Sequence, residues 1–201
     1  MQAELPCSPA CERNRGPIAE VLTRHFAGCQ NVLEVGSGTG QHAVHFAAQL
    51  AHLRWHSSDR AEYLPDLAAR IAQAELANLP APIELDVALR ALWPRARFDA
   101  AFSANTLHIM AWPEVERCFA MLGETLQARA TLVVYGPFNY GGRFSSDSNA
   151  AFDAQLRSTH SSRGIRDFEA VDALARAQGL ALLEDIAMPA NNRCLAWARS
   201  G

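Results

Sequence analysis

The chain has 201 residues, of which 49% are hydrophobic and 19% are charged. This length and composition allow a full buried core and fit one domain better than two. The 18 Lys and Arg residues against 21 Asp and Glu residues give a formal net charge of -3, so no overall basic field can gather phosphate backbones. Nucleic acid is therefore disfavoured as a partner, although a local basic patch stays open.

The N-terminal stretch MQAELPCSPACERNRG lacks both the charged start and the apolar centre of a signal peptide. No later segment approaches the length of uncharged apolar sequence that spans a bilayer. The five Cys residues are odd in number and scattered, which favours reduced thiols over a disulfide framework. These features predict a cytoplasmic protein without membrane attachment, and they leave its oligomeric state open.

Two residue pairs have spacings that also occur in metal sites. Cys7 and Cys11 could ligate together, but no second Cys/His pair of suitable spacing accompanies them. His42 and His45 lie three apart on a predicted helix, without a carboxylate or third His nearby. We therefore predict no metal, and we expect these His residues to be solvated or locally hydrogen-bonded.

Apolar residues recur at helical spacing or in short runs along the whole chain. The first half predicts, in order, a helix at 17–26, a strand at 32–35, a helix at 41–51, a strand at 53–57, a helix at 62–77 and a strand at 83–85. The second half predicts a strand at 98–103, a helix at 113–126, a strand at 131–135, a helix at 168–178 and strands at 180–188 and 194–198.

Alternating apolar strands and helices are typical of a parallel sheet that is covered by helices on both faces. Only PANNR separates the last two strands, so this pair should be antiparallel, since a parallel return needs a longer crossover. We expect an α/β fold with a doubly wound, seven-stranded, mostly parallel sheet and an antiparallel C-terminal hairpin.

A single domain over residues 1–201 is expected, and two segments depart from its regular alternation. Residues 1–28 contain an N-terminal lid segment and the opening helix. Residues 137–167 form a polar, glycine-containing insertion around a short helical pattern at 150–156. We expect both segments to lie over the functional site, with the Gly141-Gly142 pair as a hinge.

The stretch NVLEVGSGTGQHAVHF places three glycines between a predicted strand and a predicted helix. Such a turn brings backbone close to a nucleotide-like cofactor, because Gly has no Cβ and is unrestricted in φ. The spacing is Gly36-x-Gly38-x-Gly40, whereas the dinucleotide fingerprint G-x-G-x-x-G/A needs Gly or Ala at the position of Gln41. Glu34 would contribute nothing to pyrophosphate binding, but it suits a cofactor that carries an ammonium group.

Acidic residues follow the next two strands. Asp59 ends the second strand, where an acidic side chain can accept hydrogen bonds from both ribose hydroxyls. Asp86 ends the third strand and is placed to accept from an exocyclic amine such as that of adenine. Each Asp could instead cap the following helix, and the glycines could form only a tight turn.

This combination of motifs resembles the class I S-adenosylmethionine-dependent methyltransferases, whose sheet ends in the same antiparallel hairpin. The chain also resembles the methyltransferase-like protein 26 family, also catalogued as domain of unknown function 938. Six stretches carry this resemblance: ERN at 12–14, GSGTGQHAVHFA at 36–47, NTLHIMAW at 105–112, YGPF at 135–138, GIRD at 164–167 and MPANN at 188–192.

The resemblance covers residues 8 to 199 and implies the fold and S-adenosylmethionine as cofactor, but it implies no acceptor. Two segments depart from the family pattern. Ala128-Arg129-Ala130 stands where Gly-Gly is frequent, which should change the shape of the loop but not the chemistry. THSSR precedes GIRD, where an Asp-Pro and an aromatic residue are usual in the family. This departure changes the residues with which the loop could contact a substrate.

The motifs and the resemblance together define a candidate cofactor site. Its expected members are Arg13, Asn14, Glu34, Gly36, Ser37, Gly38, Gly40, Asp59, Asp86, Val87 and Asn105.

Two candidate catalytic residues lie beyond the fourth and fifth strands. His108 could accept a proton from a hydroxyl, amine or thiol acceptor, because its pKa is ordinarily near neutrality. A His bonded to backbone at a helix entry is an equal alternative. Tyr140, with Tyr135 and Phe138, could wall the acceptor pocket or meet a sulfonium by cation–π attraction. Core or lid packing is as plausible for each of these rings.

The leading hypothesis is an S-adenosylmethionine-dependent methyltransferase that acts on a small molecule or an exposed protein side chain. Much of its acceleration would come from positioning of the acceptor. A catalytically silent, cofactor-binding partner protein stays open, and a nicotinamide-dependent oxidoreductase is disfavoured by Gln41. Arg143, Arg157 and Arg166 in the insertion favour an acceptor with a carboxylate or phosphate.

Overall fold

The computed structural model describes residues 5–201 and contains six α-helices and nine strands in that range. The helices are α1 (Pro9–His25), α2 (Gln41–Gln49), α3 (Leu64–Ala74), α4 (Trp112–Thr125), α5 (Asp147–Thr159) and α6 (Phe168–Ala177). The strands are β1 (Asn31–Val35), β2 (Arg54–Asp59), β3 (Ile83–Glu84), β4 (Phe98–Ala104), β5 (Leu126–Gly136), β6 (Phe138–Asn139), β7 (Arg166–Asp167), β8 (Leu180–Met188) and β9 (Asn192–Arg199). None of the helices within residues 5–201 is long and apolar enough to cross a membrane.

Seven of the strands form one sheet in the order β3-β2-β1-β4-β5-β9-β8. The pairs from β3 to β5 are parallel, whereas β9 runs antiparallel to both β5 and β8. The predicted mostly parallel sheet with an antiparallel C-terminal hairpin is therefore confirmed. The strand order reverses between β1 and β4, and an open α/β sheet binds ligands outside the carboxyl ends of its strands at such a point.

Helices cover both faces of this sheet. One cluster of buried side chains includes Phe46 of α2, and the other includes Phe119 of α4. Side chains alternate along β1, so Val32 belongs to the first cluster and Leu33 to the second. Both faces of the parallel strands are thus buried, which explains their nearly continuous apolar sequences.

The opening helix is longer than predicted, because α1 begins at Pro9 instead of Pro17. Pro is tolerated in the first helical turn, and Glu12 in that turn interacts favourably with the helix dipole. The prediction depended on apolar periodicity, which starts only at Ile18. Arg13 and Asn14 consequently lie on the helix and do not precede it.

Strand β5 also begins earlier than predicted, directly after α4. Its Arg129 has a positive φ of 63°, and the pairing register with β4 shifts between Phe98 and Ala100. Left-handed backbone costs a non-glycine residue about 1–2 kcal/mol. Arg129 thus adopts, within a strand irregularity, a conformation that glycine would adopt more easily.

The insertion is more regular than its polar sequence suggests. Its helix α5 runs from Asp147 to Thr159 and thus extends beyond the predicted 150–156 at both ends. The strands β6 and β7 pair in parallel at its base. Gly141 and Gly142 have φ of 56° and 70° and form a two-residue turn, whose flanking residues exchange two backbone hydrogen bonds of 3.0 and 3.1 Å. In the structure these glycines close a tight turn, and their role as a hinge of the insertion stays a prediction.

Candidate cofactor and acceptor site

A cavity of about 990 Å³ lies at the carboxyl ends of β1 to β5, beside the point where the strand order reverses. Its walls come from the glycine loop, the strand ends, α1, α5 and the β8–β9 hairpin. The predicted site residues that line it are Arg13, Asn14, Gly36, Ser37, Gly38, Asp59, Asp86, Val87, Asn105 and His108. The predicted residues outside the lining are Glu34, Gly40 and Tyr140.

The three glycines of the loop differ in what surrounds them, although all have φ between 54° and 78°. A Cβ on Gly36 would lie 2.6 Å from the side chain of Thr106, and one on Gly40 would lie 2.7 Å from Cδ1 of Leu67. A Cβ on Gly38 would meet no atom of residues 5–201 within 4 Å. Protein packing therefore requires Gly36 and Gly40, whereas Gly38 faces the open part of the cavity.

Asp59 supports the glycine loop from the end of β2. Its Oδ2 accepts the backbone N–H of Gly38 at 2.6 Å, and its Oδ1 accepts that of Arg60 at 2.8 Å. Burial raises the pKa of Asp59, while the two backbone hydrogen bonds oppose that rise. A carboxylate offers about four lone-pair sites, so Asp59 keeps acceptor capacity for a ligand in the cavity.

The next strand end adds a second carboxylate to the same wall. Oδ1 of Asp86 accepts the backbone N–H of Ala88 at 2.8 Å, and its Oδ2 has no donor among the described residues. Tyr63, which is 44% exposed, also lines this wall, and the guanidinium of Arg60 lies 5.5 Å from its ring centroid. Tyr63 was not among the predicted site residues, although an aromatic residue shortly after the strand-end acid was an available signal.

Glu34 lies beneath the loop and not in the cavity, which corrects the expected contact with an ammonium group. It is 1% exposed, and its Oε2 accepts the indole N–H of Trp55 at 2.9 Å. Because side chains alternate along β1, Glu34 shares the face of Val32, inside the core under α1 and α2. Burial raises the pKa of Glu34 to about 7, against opposing hydrogen bonds from Trp55 and Ser37.

The α1 wall is held to α2 by a buried polar pair. Oδ1 of Asn14 lies 2.7 Å from Nε2 of His42. Burial lowers the pKa of His42 to about 4, so the ring is neutral near pH 7 and its Nε2–H donates to the amide oxygen. Arg13, on the preceding position of α1, lines the cavity and has no hydrogen-bond or ion-pair partner for its side chain among the described residues.

The first described residues cross the glycine loop and are tied to it. Oε1 of Gln41 accepts the backbone N–H of Ser8 at 2.6 Å. Arg70 donates to the carbonyl oxygens of Thr39 at 2.6 Å and of Pro6 at 2.5 Å. The residue that departs from the dinucleotide fingerprint, Gln41, therefore fastens the N-terminal segment over this loop.

The two cysteines of this segment make separate contacts. Sγ of Cys7 accepts a hydrogen bond of 3.1 Å from Gln41, whereas Cys11 lines the cavity. Burial raises the pKa of the Cys11 thiol, so it is protonated at neutral pH. Across residues 5–201, no three His, Cys, Asp or Glu side chains are grouped as metal ligands.

The opposite wall comes from the ends of β4 and β5. Asn105 has a positive φ of 55°, and its backbone N–H donates to the carbonyl of Tyr135 at 2.9 Å. Asn tolerates this conformation better than most residues, since its short polar side chain bonds locally. Both side chains line the cavity, and Tyr135 closes it toward α1.

His108 lies deeper in this wall and is 6% exposed. Its ring meets Phe152 edge to face, with centroids 5.3 Å apart. Burial lowers the pKa of His108 to about 4, and the positive charges of Arg166 and Arg163 add to the effect. The imidazole is therefore neutral at pH 7 and able to accept a proton, although as a weak base.

Tyr140 lies outside the cavity, so the expected catalytic role does not fit its position. Its hydroxyl donates to Oδ2 of Asp185 at 2.7 Å, and its ring stacks on Phe168 with centroids 5.4 Å apart. The guanidinium of Arg193 lies 5.8 Å from the same ring. Phe138 is 2% exposed in the core against α4 and α6, so of the three rings only Tyr135 reaches the cavity.

The arginines expected to charge the cavity do not line it. Arg157 pairs with Asp153 at 2.6 Å, and Arg166 donates to three backbone carbonyls. Arg163 lines the cavity instead and has no partner for its side chain among the described residues. No sequence signal distinguished Arg163 from its neighbours, because its freedom follows from how the insertion folds.

The fold of this chain is similar to that of several solved proteins. The chain superposes on an O-methyltransferase family protein from Burkholderia thailandensis with a TM-score of 0.84, at 15% identity and over 96% of this chain and 58% of that one. For the mitomycin 7-O-methyltransferase MmcR, the TM-score is 0.81 at 16% identity, over 95% and 54% of the chains.

An O-methyltransferase family 2 protein from Planctomyces limnophilus, solved in complex with apigenin, gives a TM-score of 0.81 at 17% identity over 94% and 57% of the chains. The chain therefore has the fold of class I methyltransferases, and it spans little more than half the length of these proteins.

The chain belongs to the family described as protein of unknown function (DUF938), whose model matches residues 5–199. The predicted membership of this family is confirmed over nearly the whole chain. The narrower name, methyltransferase-like protein 26, is not part of this match and stays a prediction.

Proposed function

We propose that the protein is an S-adenosylmethionine-dependent methyltransferase. The observation that carries this proposal is the shared cavity of Gly38, Asp59 and Asp86, in which open space above a glycine turn meets two carboxylates with free acceptor capacity. Membership of the methyltransferase-like protein 26 family is part of the proposal and rests on the six motifs in the sequence.

The cavity contains a complementary group for each part of the cofactor. Asp59 accepts from the ribose hydroxyls, and Asp86 with Val87 receives the adenine base. The exposed ring of Tyr63 offers a flat apolar surface on the same wall. Arg13 is free to bind the carboxylate of the amino-acid part by charge-assisted hydrogen bonds.

When bound, the cofactor supplies an electrophilic methyl group on a sulfonium. The protein holds the acceptor between Asn105, His108 and Tyr135, at the ends of β4 and β5. His108 is neutral and can take the acceptor's proton on a ring nitrogen, but its low pKa makes it a weak base. Positioning of the acceptor therefore supplies most of the acceleration.

Calorimetric titration with S-adenosylmethionine, S-adenosylhomocysteine and NAD(H) tests the cofactor assignment. We expect micromolar binding of S-adenosylhomocysteine, about -8 kcal/mol, and no binding of NAD(H). Binding of NAD(H) alone would support the oxidoreductase alternative. A protein that binds none of the three would contradict the proposal.

Catalysis is tested separately from binding. Methyl-labelled S-adenosylmethionine is incubated with the protein and a heat-inactivated cell extract, and the label is then measured separately in small molecules and in protein. We expect labelled product with the wild type and much less with Asp59→Ala. Normal cofactor binding without any transfer would favour the catalytically silent partner protein.

A further inference from the structure

The acceptor end of the cavity is built from two segments that are fastened to each other. These are residues 105–111 after β4 and residues 160–166 after α5. The backbone N–H of Gly164 donates to the carbonyl of His108 at 3.0 Å. Arg166 donates to backbone carbonyls in both segments. This end of the cavity is therefore preorganised, since its loops are fixed by bonds that a ligand does not supply.

Arg163 projects from this fixed framework and has no side-chain partner in the described part of the chain. Its side chain lines the cavity, its residue is half-buried, and no described residue bonds to its guanidinium. Arg166 and Arg157 are both satisfied by protein groups. A guanidinium is always charged and has five N–H donors, so a partly desolvated one is stabilised by an anionic ligand.

The carboxylates on the described lining form no ion pair with Arg163. Asp59 and Asp86 belong to the ends of β2 and β3, where they bond to backbone of those loops. Glu114 accepts the backbone N–H of Ala111 at 2.6 Å and lies at the start of α4. The cavity is thus acidic at its cofactor end and positively charged near Arg163.

Apolar side chains accompany this charge. Ile109 is 45% exposed and Phe152 is 37% exposed, and both line the cavity. Large exposed apolar groups that are grouped in a cavity commonly mark a ligand surface. Phe152 also touches the ring of His108 edge to face, which places the apolar surface beside the proposed reaction centre.

We propose that the methyl acceptor is a small molecule in which an aromatic or other apolar body carries a carboxylate or a phosphate. Arg163 binds the anionic group, and Ile109 and Phe152 pack against the body. This inference rests on the proposed function, because it names the acceptor class of the same site.

The test uses the full chain saturated with S-adenosylhomocysteine and three simple probes. Benzoate, phenyl phosphate and uncharged benzamide are titrated by ligand-observed NMR. We expect at least one anion to bind about tenfold or more tightly than benzamide, the scale of a charge-assisted hydrogen bond. The tighter of the two anions identifies the group as carboxylate or phosphate.

Arg163→Gln should abolish this preference for the anion, and Arg163→Lys should keep part of it. Arg143→Gln is the matched control, because Arg143 lies in the same insertion but outside the cavity lining. A thermal midpoint and the affinity for S-adenosylhomocysteine, both close to wild type, show that each variant is folded with its cofactor end intact.

Three results would overturn the inference. They are equal binding of anions and benzamide, no anion binding at millimolar concentration in the liganded protein, and equal losses in Arg163→Gln and Arg143→Gln. Each of these leaves the cofactor assignment untouched if S-adenosylhomocysteine still binds. If the wild type does not bind S-adenosylhomocysteine at all, the proposed function itself is refuted.

Discussion

The carboxylate of Asp59 accepts the backbone N–H of Gly38 at 2.6 Å, so the acid at the end of β2 fixes the turn at the end of β1. These two residues are 21 positions apart, and their contact joins the loop proposed to approach the cofactor to the side chain proposed to hold the ribose. Substitution of Asp59 should therefore affect both the shape of the loop and the binding of the ligand.

Asp59→Ala should weaken S-adenosylhomocysteine binding about tenfold or more and lower the free energy of unfolding by about 1–3 kcal/mol. The first effect reflects lost hydrogen bonds to the ligand, and the second reflects two backbone donors left without their acceptor. Calorimetry and urea denaturation measure them, with the exposed Glu62→Gln as control. Unchanged affinity would remove Asp59 from the site.

Gly38→Asn should reduce cofactor binding much more than stability. Asn tolerates positive φ, so the backbone cost is small, but its side chain would occupy the open space in front of the loop. Gly36→Ala should do the reverse, since its Cβ would collide with Thr106. Thermal midpoints and titrations of both variants separate the two effects, and parallel losses in Gly38→Asn would mean that the loop has only a structural role.

Gln41→Ala should accelerate dissociation of the cofactor. The substitution removes the bonds from Gln41 to Ser8 at 2.6 Å and to Glu12 at 2.9 Å, which hold the N-terminal segment across the glycine loop. Stopped-flow dissociation and hydrogen exchange of residues 8–14 measure the change. Gln49→Ala, at the exposed end of the same helix, is the control and should leave both rates as in the wild type.

Glu34→Gln should alter the pH dependence of stability. Burial raises the pKa of Glu34 from 4.5 to about 7, so between these values the folded protein holds a proton that the unfolded chain has released. The retained proton stabilises the folded protein by a free energy on the order of 3 kcal/mol. This stabilisation is complete below pH 4.5 and is lost as the pH rises through about 7.

The wild type should therefore lose stability relative to Glu34→Gln as the pH rises from about 5 to 8. Urea denaturation of both proteins across this range measures the difference. The titration of His42, on the same side of the sheet, makes stability rise with pH instead of fall. This effect is common to both proteins, so it cancels in the difference between their stabilities. A difference that is independent of pH would show that Glu34 is already ionised.

His108 should remain a neutral imidazole down to about pH 5, because burial and nearby arginines lower its pKa to about 4. Nitrogen chemical shifts of the ring across a pH titration report its charge. Arg163→Gln should raise this pKa, since it removes one of the two positive charges. An ordinary titration near pH 6.5 in the wild type would contradict the buried position of the ring.

Much of the fold could be predicted from local patterns. Apolar runs, a glycine turn and helical periodicity predicted the seven strands of the main sheet, and the tight PANNR link predicted the antiparallel hairpin. Asp59 and Asp86 could be placed at one edge of the sheet, because the carboxyl ends of parallel strands come together there. These inferences need only the order of elements and their periodicity.

The start of α1 shows where such patterns fail. The polar residues between Pro9 and Pro17 have no apolar periodicity, so the sequence indicated a helix only from Pro17 onward. In the structure this first part of the helix lies against the glycine loop, and Asn14 bonds to His42 at 2.7 Å. Contacts distant in sequence stabilise the extra turns, and the local signals, Pro9 and Glu12 in the first turn, do not by themselves define a helix.

The sequence by itself determined which residue types stand at the strand ends, whereas the tertiary structure alone decided which of them face the cavity. Glu34 was expected in the site, but the alternation along β1 directs it into the core against Trp55. The hydroxyl of Tyr140 donates to Asp185, and Arg163 has no side-chain partner within residues 5–201, whereas Arg157 and Arg166 of the same insertion do. Whether a polar side chain is available to a ligand depends on the partners that folding brings to it, and those partners lie far away along the chain.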